Sequence, residues 1–141
     1  MNTTDYLTQV LSQTNRSGLL RYEKTQLLNR VVNFDAYMDK LVERSGLPRK
    51  TIFQQADIPV KIGYKILRGE AYTADRNRLI RILLVLRPSL AEFQRAFTLH
   101  QTPGLTPLRQ KDAVLIYALS HHIYDIEWVN SCLKELGETP I

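Results

Sequence analysis

Cysteine is almost absent: Cys132 is the one thiol in 141 residues. No internal disulfide can staple the chain, and a reducing, cytoplasmic setting is expected. No apolar run approaches the ~20 residues needed to span a bilayer, so no membrane partner is expected. The longest candidate, 113–119, is the length of a buried helix segment. The opening residues, Met1-Asn2-Thr3-Thr4-Asp5, lack the basic and apolar stretches of an export signal. Low-complexity tracts are missing and no internal repeat stands out. Neither a phosphate-cradling glycine loop nor a Cys-x-x-Cys pair is present. His100, His121 and His122 do not have metal-ligand spacing, since adjacent residues point about 100° apart on a helix. The acidic pairs Asp35/Asp39 and Glu135/Glu138 fit solvated helix faces better than acid–base dyads. No cofactor, no metal and no enzyme are therefore expected.

What remains is an ordinary globular composition, 44% hydrophobic and 23% charged, patterned almost throughout at helical period. Phe34, Tyr37, Met38, Leu41 and Val42 form one stripe, with Asn33 or Asp35 as its N-cap and Gly46 as its stop. A shorter helix fits 49–56, with Pro48 near its start. Pro59 opens a third, ended by Gly69. Leu79, Ile82, Leu83 and Leu86 belong to a fourth, stopped at Arg87-Pro88. Ser89 caps a fifth that turns Leu90, Phe93, Ala96 and Phe97 inward. The clearest break is 102–107, rich in Thr, Pro and Gly. Beyond it, 109–120 is apolar on nearly every side and is expected at the centre of the molecule. Asp125 caps a last helix with Val129, Cys132, Leu133 and Leu136 on its apolar side, and Gly137 ends it. Two further helices are expected within 1–32, and Tyr6, Tyr22 and Tyr72 are free to reach a partner. No run alternates as a strand does, so the fold class is all-α. The expected organisation is an extension at 1–32, a domain at 33–100 and a C-terminal helical pair at 101–141. A ligand-sensing role for that pair would require an enclosed pocket.

Charge is concentrated. Residues 47–87 hold nine lysines and arginines against three acids, whereas 100–141 hold three against five. Local positive charge attracts a polyanion. Within that window, two short helices are joined by a three-to-four-residue turn, which makes them meet steeply when small and apolar residues line the junction. Ala56 and Ile58 are placed for that role, and Ile52, Phe53 and Ile66 anchor both helices. The outer side of the third helix is left with Val60, Lys61, Tyr64, Lys65 and Arg68, on a body the width that a DNA major groove admits. Lys61 can donate to guanine edges or phosphates, Tyr64 to either, and Val60 can meet a thymine methyl. Arg49 and Lys50 start the second helix, where a phosphate is favoured.

These residues resemble the λ-repressor/Cro-type helix-turn-helix proteins, the XRE family. The likeness runs from about Phe34 to Leu86, through the frame Leu47, Ile52, Ala56 and Ile58 and the closing Ile66 and Gly69. It looks closest to a bacterial subgroup whose helical tail is similar to residues 109–136. The resemblance implies a helix-turn-helix bundle with extra N- and C-terminal helices, acting as a DNA-binding transcriptional regulator. It places Val60, Lys61 and Tyr64 at base-reading positions, and Arg49, Lys65 and Arg68 on the DNA backbone. Asp57 stands where that family usually has Gly, but Asp tolerates the left-handed backbone. Gly63 replaces a small apolar side chain, at about 1 kcal/mol of helix propensity. Double-stranded DNA is the implied partner, engaged by a homodimer. The rival reading is an adaptor that kept the fold and binds a protein partner through its N- or C-terminal helices.

Overall fold

The computed structural model describes residues 19, 32–70 and 76–141, and residues 32–141 belong to one compact unit. The helices expected within 1–32 lie outside the described residues apart from residues 19 and 32, as do Tyr6, Tyr22 and Tyr72. Seven α-helices and no strand are found among the described residues, so the fold is all-α. No helix there is long and apolar enough to cross a membrane.

The first helix, α1 (Phe34–Ser45), takes Asn33 rather than Asp35 as its cap. The Asn33 side chain accepts from the Ala36 N–H at 3.2 Å, and Asp35 sits in the first turn, where the helix dipole favours an anion. Its whole predicted stripe is buried, and Gly46 leaves the helix at φ 70°. Prolines 48 and 59 are the N-caps of α2 (Arg49–Gln55) and α3 (Val60–Leu67). The next helix, α4 (Arg76–Leu86), stops where Arg87 turns left-handed, at φ 54°, before Pro88. Ser89 and Glu92 form a reciprocal capping box on α5 (Leu90–Leu99). After the 102–107 connection come α6 (Gln110–Ser120) and α7 (Ile126–Glu135), the latter capped by Asp125.

The core sits elsewhere than the hydropathy suggests. In α4, Leu79, Ile80, Ile82, Leu83 and Leu84 are fully buried, because α1 and α2 both pack on it. By contrast α6 packs mainly on α5 and α7. It buries Asp112, Leu115, Ala118 and Leu119 and leaves Tyr117 52% exposed, so it is peripheral, not central. Cys132 is likewise half-buried rather than a core thiol, and Leu136 is exposed.

A second correction concerns repetition. Residues from α6 onward repeat local features of the stretch from α4 to 105 with little shared sequence, although α6 packs more closely on α7 than α4 does on α5. The first helices both have 11 residues and are followed by a left-handed residue, Arg87 directly and His122 two positions on. The second helices both have 10 residues, capped by Ser89 and Asp125. Both then turn through a positive φ, at Gln101 and Gly137, and send a hydrophobic residue back into the core, Leu105 and Ile141, each 7% exposed. A side-chain amide clamps each returning strap. Gln94 accepts from Leu105 N at 2.8 Å and donates to its carbonyl, and Asn130 does the same for Ile141, also accepting at 2.8 Å.

Two ion pairs lie inside this assembly. Arg44 forks onto Glu92 at 2.6 and 2.9 Å, joining α1 to α5, and Arg76 forks onto the buried Asp112 at 2.8 and 3.2 Å, joining α4 to α6. Burial opposes ionisation of Glu92, but the Arg44 fork and the Ser89 donors outweigh it and hold its carboxyl below the usual range. Tyr37, buried beside it, donates to the Glu92 carbonyl, and burial pushes its own hydroxyl pKa up. His100, edge-on to Phe34 at 4.7 Å, is pushed below the usual imidazole range by burial.

Removing the cation from a mostly buried pair strands its partner, so Arg44→Met is expected to lower unfolding stability by about 3 kcal/mol in urea at pH 7. Both depressed pKa values give the same sign on acidification. The unfolded chain takes up a proton at His100 before the folded one does, so stability falls as pH drops below 6.5. The Glu92 contribution is present above pH 4.5 and is lost as pH falls through its lower folded value. A His100→Gln variant should lack the first slope, read as unfolding free energy between pH 6.5 and 5, and keep the second.

Candidate nucleic-acid interface

The junction between α2 and α3 is built around a missing side chain. Gly63 is buried in α3, and a Cβ placed on it would fall 2.6 Å from Cγ and Cε1 of Phe53. The Phe53 ring, fully buried, therefore lies directly across the α3 backbone. Ala56 is fully buried at the crossing, and Asp57 makes the turn at φ 55°, the left-handed conformation expected of it. The Ile58 N–H donates to the Phe53 carbonyl at 2.9 Å, and the Ile58 side chain is tucked inward. Arg81 on α4 closes the arrangement from below. Its Nε donates to the Ala56 carbonyl at 2.7 Å and its Nη2 reaches the Asp57 carbonyl at 3.4 Å. The sequence reading counted Arg81 only as charge and missed this clamp. An arginine in the middle of the helix, among leucines and isoleucines, was its one available signal.

The residues expected to meet DNA are distributed as follows. On α3, Val60 is 41% exposed, Lys61 and Lys65 are exposed one turn apart, and Tyr64 between them is half-buried. The Tyr64 ring meets Phe53 edge-on at 5.1 Å, which fixes it to the junction. Arg68 caps the C-terminal end of α3, but its guanidinium is taken by Glu70 at 3.2 Å. At the start of α2, Lys50 is exposed, whereas Arg49 is held by Asp39 of α1 at 2.8 Å. Among the described residues, Lys50, Lys61 and Lys65 have no carboxylate partner.

The basic window is thus less available than its count implies. Arg76 serves Asp112 and the Phe97 ring, Arg81 serves backbone carbonyls, and Arg87 lies over the Tyr124 ring at 5.8 Å. None of these three guanidinium groups belongs to the α3 face. The other concavity of note is an open cleft of about 800 Å³, lined by Leu84, Arg87, His122, Tyr124 and Trp128 among others. It is not the enclosed pocket that a ligand-sensing C-terminal pair would need. Comparison with known protein families, with curated proteins and with solved structures finds no match.

Gly63→Ala sets a helix-propensity gain of about 1 kcal/mol against the Phe53 clash, for which overpacking costs about 1–3 kcal/mol. The variant is expected to be the less stable protein. Adding Phe53→Leu should make the alanine neutral or favourable, as measured by comparing urea midpoints of the two single variants and the double.

Proposed function

We propose that α2 and α3 act as a λ-repressor/Cro-type helix-turn-helix, and that the protein is a cytoplasmic DNA-binding regulator of transcription. One observation carries the reading: the outer side of α3 is exposed and bears Lys61 and Lys65 unpaired among the described residues, on a junction held by Phe53, Gly63 and Arg81. In this reading α3 lies in the major groove. Val60 meets thymine methyl groups, Lys61 meets base edges or phosphates, and Tyr64, braced by Phe53, points its hydroxyl to the same region. Lys50 and Lys65 meet the DNA backbone. Arg49 and Arg68 contribute less, because each must first leave its own carboxylate. A unit of this size reads a short half-site, so two copies are placed on half-sites about one DNA turn apart.

The adaptor reading draws on one specific observation, the neutralisation of both arginines together with the exposed Val60. The two readings separate on duplex affinity. Lys61→Ala/Lys65→Ala is expected to weaken duplex DNA binding at least tenfold at moderate salt and to flatten the log–log salt slope by about 2. Arg68→Ala should cost clearly less than either lysine. Fluorescence-anisotropy titration of a labelled duplex at several salt concentrations is the measurement. Equal binding by wild type and the double-lysine variant leaves the adaptor standing instead.

A further inference from the structure

The internal repeat shows which part of the molecule lacks a cover. In the first hairpin, α1 runs along α5: Arg44 meets Glu92 at one end and Phe34 meets His100 at the other. Between them, on the same helix face, Ala96 is fully buried. Carried 36 residues on, by the register that matches Ser89 to Asp125 and Leu105 to Ile141, this stripe becomes Trp128, Cys132 and Leu136. There it is open: Leu136 is 45% exposed and Trp128 and Cys132 are half-exposed. The neighbouring helix agrees. Tyr117, on α6, is 52% exposed. It stacks on His121 at 4.0 Å and faces Trp128 at 6.1 Å with nearly parallel rings. Tyr117, Trp128, Cys132 and Leu136 form one apolar and aromatic band without a covering helix among the described residues.

We infer that this band on α6 and α7 is a docking site for an amphipathic helix of another protein, with basic residues flanking its apolar stripe. The helical form follows from the repeat, since a helix fills the equivalent place on α5. The charge follows from the flanks. Glu127 and Glu135 are exposed beside the band, and residues 125–138 carry Asp125, Glu127, Glu135 and Glu138 against Lys134 alone. The first hairpin shows the same complementarity, with α1 bringing Arg44 to Glu92. A second copy of this chain would set acidic flank against acidic flank, which disfavours it. The site is separate from the α3 face and does not depend on DNA binding.

Trp128 is the sole tryptophan, so the full chain reports on the band without a label. The probe is a synthetic helical peptide with a leucine stripe and lysine flanks. It should produce a saturable shift in tryptophan emission with a micromolar midpoint. A peptide of the same composition with its stripe scrambled, and one with glutamate flanks, should bind at least tenfold more weakly. Leu136→Lys, a cation at a helix C-terminus where it is tolerated, should weaken binding at least tenfold with circular dichroism and duplex affinity unchanged. Glu127→Gln/Glu135→Gln should weaken it several-fold and reduce its salt dependence. Equal response to the scrambled peptide, or an unchanged midpoint in Leu136→Lys, overturns the inference. A self-associated chain that Leu136→Lys dissolves, seen by sedimentation velocity, overturns it in favour of a second copy.

Discussion

The contact of the Phe53 ring with the bare backbone of Gly63 sets the relation between α2 and α3, and the exposed chemistry of the molecule depends on that relation. With any side chain at 63, the Phe53 ring or the helix that carries it must shift. Without it, the ring fills the junction, Tyr64 gains an edge-on neighbour, and Lys61 and Lys65 are turned outward. Arg81 adds a polar lock by satisfying the carbonyls of Ala56 and Asp57, which the turn leaves without helical partners. Helix propensity is given up at Gly63 for rigidity of presentation, the kind of local conflict that marks positioned surfaces rather than simple core.

Arginine's planar fork explains why charge counts along the chain overstate the charge available to a ligand. Arg44 and Arg76 each satisfy a carboxylate bidentately inside the fold, while Arg81 gives its donors to backbone carbonyls and Arg87 its guanidinium face to Tyr124. Lysine, a point charge on a flexible stem, is less suited to such forks, and Lys50, Lys61 and Lys65 remain unpaired among the described residues. The exposed pairs Arg49–Asp39 and Arg68–Glu70 are intermediate cases. Surface pairs are worth little, so a phosphate can displace the carboxylate, but only after the exchange has taken part of the gain.

Much of the fold was legible because its boundaries are written in local chemistry. Asn33, Ser89 and Asp125 cap by side-chain geometry that needs no tertiary context, and Asp57 adopts the one unusual conformation its position required. The peripheral place of α6 was not legible. An apolar run declares that it can be buried, not how many neighbours it will find, and α6 found mainly α5 and α7. The repeat was hidden for a different reason. Gln94 and Asn130 perform one task with different residues, as do Ser89 and Asp125, so residue identity conceals what hydrogen-bond geometry reveals. Of the site, the exposed lysines of α3 were readable from periodicity. The carboxylates holding Arg49 and Arg68 were not, because Asp39 reaches Arg49 from another helix and Glu70 looked like ordinary surface.

The repeat also makes the two hairpins energetically unequal. The first is enclosed by α1, α2 and its successor, and its leading helix buries six of its eleven residues. The second leans on α5 by one face, and is tied in by the Arg76–Asp112 fork, the Thr106 N–H on the same carboxylate, and the strap that seats Ile141. Elements with fewer buried apolar contacts open at lower free energy than the core they attach to. A hairpin so placed can be ordered further by whatever covers it, while the α2–α3 junction is anchored separately, to α4 through Arg81. Two surfaces of opposite charge, one on α3 and one on α7, thus sit on parts of the chain with different stability.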